Sequence, residues 1–427
     1  MPTHAPRVAA PAAALTFTLL IAFSLAFVPG VAEAAPLTFD AALVLAEQHS
    51  ASAQAARAGL ASAREASSAA GQFADPVLRL SVENLPIAGA ERYSAARDPQ
   101  TMKRVGISQE WLSGDKRAAR RAAAERTVAR AAVQLRIATA DARLQAALVY
   151  AEAGYAAQAL QFTALTERTW REEHEAARAR MAGGTGGSLD VLALAAARAG
   201  VEDEAAELRQ QQRAAGLALQ RWVGLPLDEL APLPVWPVPS EQAYVQGHPA
   251  VRALQGDADV AREAAAVAAS ERSANWMWEV SVGQRTRYAD MVSVGVSIPL
   301  PVDREQRQDR ETAARLAQAD KVDAERAEAE RAATAEYLTL RSDSASLLAR
   351  IEALRRGALL LVQQRSAAAL AAYRANQAPL ASVFEARRAD IDMQRKLLGL
   401  QRELTRIHIQ LAFKPVHSTG VLIGAAP

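Results

Sequence analysis

Val105-Gly106-Ile107-Ser108 recurs as Val294-Gly295-Val296-Ser297, and this repeated tetrapeptide decides how the chain is read. Each copy lies in a run that alternates apolar with small or charged residues, the two-residue period of a β-strand. Val105 and Ile107 oppose Arg104, Gly106, Ser108 and Glu110, while Val292, Val294, Val296 and Ile298 oppose Ser293, Gly295 and Ser297. A second alternating run precedes each copy. There Leu78, Leu80 and Val82 share a face against Arg79, Ser81 and Glu83, and Trp276, Trp278, Val280 and Val282 share one against Glu279, Ser281 and Gly283. Alternation alone also fits a sheet packed on a core of its own. Strands near the roughly 9–11 residues of a tilted membrane strand, with Trp276 and Trp278 placed for an interfacial girdle, favour a water-filled barrel with apolar residues outward and polar residues inward.

Beyond the strands the duplication continues at a period of about 190 residues. Gln48-His49-Ser50 and Gly247-His248-Pro249 each open a helical stretch, one containing Ala63-Arg64-Glu65-Ala66 and the other Ala261-Arg262-Glu263-Ala264. Asp115 and Asp303 follow the repeated tetrapeptides and are expected to cap long charged helices. Each half thus reads as helix, strand, strand, very long helix, tight turn, helix. No proline interrupts Lys116 to Met181, so that helix extends on the order of 100 Å. Its expected seam is Val133, Ile137, Ala140, Leu144, Leu148, Ala151, Tyr155, Phe162 and Leu165, answered in the second half by Tyr337, Leu340, Ser344, Leu347, Ile351, Leu354, Ala358 and Leu361. These spacings predict coiled-coil-like hairpins turning at Gly183-Gly184-Thr185-Gly186-Gly187 and at Asn376-Gln377-Ala378-Pro379.

The 427 residues are 50% hydrophobic, 22% charged and 5% aromatic, a composition suited to long, closely packed, alanine-rich helices. Basic and acidic residues number 49 and 47 in close mixture with no basic tract, which argues against a nucleic-acid partner. Cysteine is absent, excluding disulfides, thiolate metal sites, cysteine nucleophiles and an acylated N-terminal cysteine. Arg7, the apolar run Leu15 to Val28 and Ala32-Glu33-Ala34 predict a signal peptide cleaved after Ala34. Pro29-Gly30 ends that run short of the ~20 residues a spanning helix needs. The expected organisation is residues 1–34 signal peptide, 35–224 first repeat, 225–246 proline-rich linker, 247–413 second repeat and 414–427 C-terminal tail.

Four strands cannot enclose a channel, and an open edge in hydrocarbon leaves backbone groups unpaired, so oligomerisation is required. Three chains give a barrel of about 12 strands. No catalytic constellation is evident, so no enzyme activity and no cofactor are expected. His49, His174, His248, His408 and His417 lack the paired spacing of a zinc site, and Met102, Met277 and Met291 read as packing or loop residues rather than ligands. Asp190 and Glu385 fall in the first turns after the hairpin tips, where a carboxylate favourably meets the helix dipole. Under threefold symmetry each would also form a ring of carboxylates at the tunnel mouth.

The chain resembles the TolC-like outer-membrane efflux channels. The resemblance is carried by the duplicated helix-strand-strand-helix order, by Val105-Gly106-Ile107-Ser108-Gln109-Glu110 followed by Gly114-Asp115-Lys116-Arg117, and by the turns Gly187-Ser188-Leu189-Asp190-Val191-Leu192 and Pro379-Leu380-Ala381-Ser382-Val383-Phe384-Glu385. Ala74-Asp75-Pro76, Glu83-Asn84-Leu85-Pro86 and Asp98-Pro99-Gln100-Thr101-Met102 resemble its heavy-metal branch, the partners of cobalt-zinc-cadmium or copper-silver exporters. The resemblance implies a homotrimer with a β-barrel held by outer-membrane lipid and an α-helical barrel in the periplasm. It implies a periplasmic adaptor and an inner-membrane resistance-nodulation-division pump as partners, with docking at Gly186, Gly187, Ser188, Leu189, Gln377, Pro379 and Leu380. Glu385 matches the family's gate acid, and Ser382 stands where some relatives carry a second. Arg79, Ser81, Glu83, Ser108, Ser281, Ser293 and Ser297 are the expected lumen residues. The alternatives are a channel for drug or small-molecule efflux or type I secretion, and a periplasmic coiled-coil adaptor or scaffold.

Overall fold

Thr38 and Ser50 each turn the chain into a helix by accepting the backbone N–H three residues on, at 3.3 and 3.2 Å. They start α1 (Phe39–His49) and α2 (Ala51–Ala69) in a computed structural model that describes residues 36–184, 188–226, 229–375 and 377–416. The expected signal peptide, Gly186, Gly187 and His417 lie outside the described residues. Strands β1 (Val77–Glu83) and β2 (Met102–Trp111) follow, then α3 (Gly114–Ala182) and α4 (Ser188–Val223). The second half repeats the order with α5 (Glu241–Gly247), α6 (Pro249–Ser270), β3 (Trp276–Arg285), β4 (Met291–Ser297), α7 (Gln308–Ala353), α8 (Leu360–Arg374) and α9 (Leu380–Phe413). Ser240 caps α5 as Thr38 caps α1.

The expected aspartate caps are corrected. Ser113 accepts the Lys116 N–H at 3.3 Å and starts α3, leaving Asp115 inside the first turn, where its charge still meets the helix dipole. Asp303 stands in the left-handed region at φ 60° before the short 3₁₀ turn Arg304–Gln306, and α7 begins after Arg307 with no side-chain cap. The passage from β2 into α3 is therefore capped, whereas that from β4 into α7 is loose.

The strands form one antiparallel sheet in the order β1-β2-β3-β4. β2 and β3 have 10 residues each, but β1 and β4 have 7, short of the expected membrane length, because an edge strand finds a ladder partner on one side only. Nearest the sheet α3 packs on α2 and α6; toward the hairpin ends it packs on α4 and α9. α7 packs on α6 and then α9, which also contacts α8. Four helices therefore lie side by side at either level, as α2-α3-α6-α7 and then α4-α3-α9-α7/α8.

The seam of α3 is lined by Ala142, Ala146, Tyr150 and Ala153, then by Thr163, Thr166, Thr169, Glu173 and Ala177. The expected Val133, Ile137, Leu144 and Leu148 are only half-buried, and Leu165 is exposed. Alanine and threonine let helix backbones approach closely, so the larger aliphatics ride on the flank. The three buried threonine hydroxyls donate to carbonyls four residues back, so each is paired. On α7 the buried residues Tyr337, Ser344 and Ile351 keep a seven-residue repeat. A π-helical turn, Leu354–Leu359, then inserts a residue, so the expected Leu361 is exposed and Val362, Ser366 and Leu370 turn inward.

A core at mid-length joins both repeats: Phe39, Leu43, Tyr150, Leu219, Val223, Trp236 and Ile409 are buried together. The Tyr150 hydroxyl lies 2.7 Å from the carbonyls of Leu37 and Ala231, which flank a bridge between Leu37 and Leu230. Tyr337 repeats the device by donating to the Pro239 carbonyl at 3.0 Å. Among the described residues no helix is long and apolar enough to cross a membrane.

Candidate functional site

Strand pairing aligns Leu78, Ile107, Val280 and Val294 in one row and Leu80, Val105, Val282 and Val292 in another. These rows form an apolar face that the protein leaves open: Leu80 is 69% and Val294 73% exposed. The opposite face carries Arg79, Ser81, Glu83, Ser108, Ser281, Ser293 and Ser297, and there Ser108 and Ser281 are only 2% and 3% exposed. This inverts the rule of a water-soluble sheet. The polar face is also the crowded one, as in a sheet curling toward it. A Cβ on Gly106 would fall 2.8 Å from the Ser281 Cβ, and the Met102 sulfur fills the space that a side chain at Gly283 would need. Arg79 on β1 reaches over β2 to Glu279 on β3 at 3.3 Å, and Arg104 pairs with Glu83 on the neighbouring strand at 3.1 Å. Trp276 and Trp278 stand exposed at the helix-facing end of the apolar face, beside Trp111, which the strand reading missed. Trp111 continues the alternation of Val105 and Ile107 and could have been found from it.

Where the sheet meets the helices, Lys116 is fully buried. Its ammonium donates to Glu271 at 2.8 Å and to the Asn275 side-chain oxygen at 2.6 Å, and the Asn275 amide donates to Glu110 at 2.8 Å. Arg120 completes the group by donating to Glu271 at 2.9 Å. Burial opposes ionisation of Glu271, but Lys116 and Arg120 outweigh it and hold the carboxyl below its ordinary range. A cavity of about 450 Å³ adjoins this network, lined in part by Asp75, Ser108, Glu110 and Ser297.

At the far end, a ladder of polar contacts joins α3 to α9. Arg402 pairs with Glu152 at 3.3 Å, Tyr155 bonds Thr405 at 2.8 Å, Arg387 pairs with Glu172 at 2.9 Å, and Arg388 pairs with Glu173 while lying over the Trp170 ring. Arg395 reaches from α9 to Glu204 on α4. Glu173 is buried, and burial pushes its carboxyl above the ordinary range; Arg388 and Arg180 oppose that rise, and Glu385 adds to it. Glu385 itself is exposed. The expected gate acid therefore has a charged neighbourhood that the sequence did not reveal. Ser382 donates to the Pro379 carbonyl at 2.7 Å and secures the start of α9. Gly184, at φ +74°, makes the turn out of α3, and Asp190 follows on the first turn of α4 with Ser188 and Leu189. Gln377 is exposed and its N–H donates to the Ala372 carbonyl at 2.9 Å, which closes the second turn against Leu380 at the start of α9.

Three of the histidines have partners within the chain. His49 bonds the Leu45 carbonyl at 2.9 Å, and His408 bonds Ser344 at 3.0 Å. His248 lies 3.5 Å from Glu336, whose carboxylate also accepts from Tyr244 at 2.7 Å and Lys414 at 2.5 Å. Burial and then Lys414 push the His248 pKa down despite Glu336. Among the described residues no group of three or more His, Cys, Asp or Glu is arranged to hold a metal ion.

No protein-family model and no curated protein sequence matches the chain. Solved structures do. CusC superposes with a TM-score of 0.73 at 14% identity, over 88% of this chain and 92% of its own. The outer membrane protein VceC from Vibrio cholerae gives 0.72 at 19% identity, over 88% and 96%. The CmeC outer membrane channel of Campylobacter jejuni gives 0.67 at 10% identity, over 88% and 85%. The chain therefore has the fold of the outer-membrane channel proteins, mainly helical with a small four-stranded sheet.

Proposed function

We propose that this chain is the outer-membrane channel of a tripartite efflux assembly, a homotrimer whose strands close a barrel of about twelve in the outer membrane and whose helices continue it as a periplasmic tunnel. The inverted sheet carries this reading, with its apolar face exposed, its polar face crowded and both edges open. In lipid each unpaired edge group costs several kcal/mol, so β4 of one protomer must meet β1 of the next. β1 runs away from the helices and β4 toward them, so that contact stays antiparallel. The helices support the same closure. α4 is outermost at the hairpin level and α7 is outermost in both rows, and they carry leucines left exposed in the single chain: Leu192 and Leu217 on α4, Leu316, Leu338 and Leu348 on α7. At 100° per residue each set falls on one side of its helix. A neighbouring protomer covers them.

In this reading the hairpin ends, at Gly186, Gly187, Ser188 and Leu189 and at Gln377, Pro379 and Leu380, dock a periplasmic adaptor that links the channel to an inner-membrane resistance-nodulation-division pump. Asp190 and Glu385 form carboxylate rings at the mouth, which favours cationic cargo. Heavy-metal cations are the cargo we infer, on the resemblance of the segments around Ala74–Pro76 and Asp98–Met102. The deciding experiment is detergent extraction of the outer-membrane fraction with light scattering. A trimer is expected, and a monomer, or release without detergent, overturns the channel reading. Strains lacking the protein should become sensitive to zinc, cobalt, cadmium, copper or silver; new sensitivity to dyes or antibiotics with unchanged metal tolerance would reassign the cargo.

A further inference from the structure

Lys103 breaks the apolar face at the end of the sheet farthest from the helices. It is exposed, shares the outward side of β2 with Val105 and Ile107, and is paired with Val82 on one side and Gln284 on the other. Two further cations stand at the same rim. The Thr286 hydroxyl donates to the Ala96 carbonyl at 2.9 Å and ties the turn after β3 to the loop after β1, so Arg287 and Arg97, each next in sequence to one partner of that bond, are brought to one place. Arg287 is exposed at φ 70°, and Arg97 is exposed 3.5 Å from Glu91. Among the described residues no carboxylate pairs with Lys103 or Arg287, and nearby Asp98 is engaged by the Gln100 N–H at 2.6 Å. Tyr93 and Tyr288 are exposed in the same two loops. Beside Lys103 lies the open side chain of Val82, and directly below it those of Val105 and Val282. At the opposite rim the outward strand residues are Trp111, Gln109, Trp276 and Trp278, and Arg117 there lies over the Phe73 ring that packs on Trp111.

A cationic cap above an apolar wall suits an amphiphile with an anionic head and acyl chains, whereas a free anion would make no use of the wall. We propose that Lys103 and Arg287, assisted by Arg97, hold the phosphorylated headgroup of an acylated lipid of the outer leaflet, its chains lying along Val82, Val105 and Val282. The proposal rests on the outer-membrane reading and adds a headgroup chemistry and a place to it. Threefold symmetry gives one such lipid per protomer.

Native mass spectrometry of the purified trimer tests it, with diphosphoryl lipid A, the same lipid stripped of phosphate, and inorganic phosphate as probes. Wild type should retain the diphosphoryl lipid. The double variant Lys103→Gln/Arg287→Gln should lose at least about tenfold in retention, since each cation at an anionic surface contributes roughly fivefold. Lys103→Arg/Arg287→Lys should keep it. Equal retention by wild type and the Gln variant, or of phosphorylated and stripped lipid, overturns the proposal, as does displacement of the lipid by millimolar phosphate. Trimer mass is read in the same spectra, so a failure of the channel reading appears separately, as wild type that is not a trimer.

Discussion

Tyr150 and Tyr337 occupy equivalent places in the two repeats, yet the single hydroxyl proton of Tyr150 lies within reach of two carbonyls and that of Tyr337 of one. Burial pushes the Tyr150 pKa up to about 12, so the hydroxyl keeps its proton at any physiological pH. Tyr150→Phe should therefore destabilise the fold by about 1–3 kcal/mol, and Tyr337→Phe by less, as read from denaturant midpoints at constant slope. His248 and His408 are both held uncharged, chiefly by burial, with Lys414 and Arg341 as the respective cations that add to it. An unfolded chain would take up these protons near pH 6.5, so stability is fullest above that value and falls as the pH drops below it toward the lowered folded pKa values. The thermal midpoint should be lower at about pH 5.5 than at about pH 7.5, and His248→Gln should shrink that difference. Glu336 does not blur the window. Burial opposes its ionisation, but Lys414 and Tyr244 hold its carboxyl below the ordinary value of about 4.3, so its contribution is lost only at more acid pH. At the hairpin end Glu385→Gln should lower cation preference in single-channel recordings while the trimer still forms. The difference should shrink in high salt, because an attraction of this kind is screened over about 8 Å at physiological ionic strength.

The sheet offers a paired test, since Val294 and Ser293 are neighbours on opposite faces of the same strand. Val294→Asp should block assembly, at a cost of up to a few kcal/mol on a lipid-facing wall, whereas Ser293→Asp should be tolerated. Equal defects in the trimer yield would contradict the assigned facing. The strands were legible because a two-residue period survives in a single sequence, and the long helices because no proline interrupts them. The seam was not. Alanine and threonine carry little hydropathy contrast, so the large aliphatics that flank the contact drew the eye and Leu165 was misassigned, whereas Leu361 was misassigned because the π-helical turn shifts the register of α7 and leaves no trace in the sequence. The α3 cap was misplaced by two residues, because Ser113 and Asp115 are both good cap residues and only backbone geometry separates them. The contacts around the mouth and the neck left no local trace, since Arg388 is 215 residues from Glu173 and Glu271 is 155 from Lys116.

For the whole molecule, the absence of cysteine makes crosslinking clean. Within one chain β1 and β4 are separated by β2 and β3, which puts them about 14 Å apart at the usual strand spacing, beyond the ~7 Å reach of a disulfide. Cysteine pairs scanned over Leu78, Leu80 or Val82 and Val292, Val294 or Val296 should therefore yield covalent dimers and trimers on oxidation, and a monomer band alone would remove β1-to-β4 closure. The open edges also bear on how such a channel arrives in its membrane. In the proposed trimer a single protomer has no state that satisfies its strand edges in lipid, so insertion would wait until three chains have met. The first steps are encounters, and their rate climbs faster than linearly with the number of chains in transit. Halving synthesis should then cut the population of finished channels by more than half at early times. A cell that makes a little of this protein gains disproportionately few pores, and one that makes more crosses into having them rather abruptly.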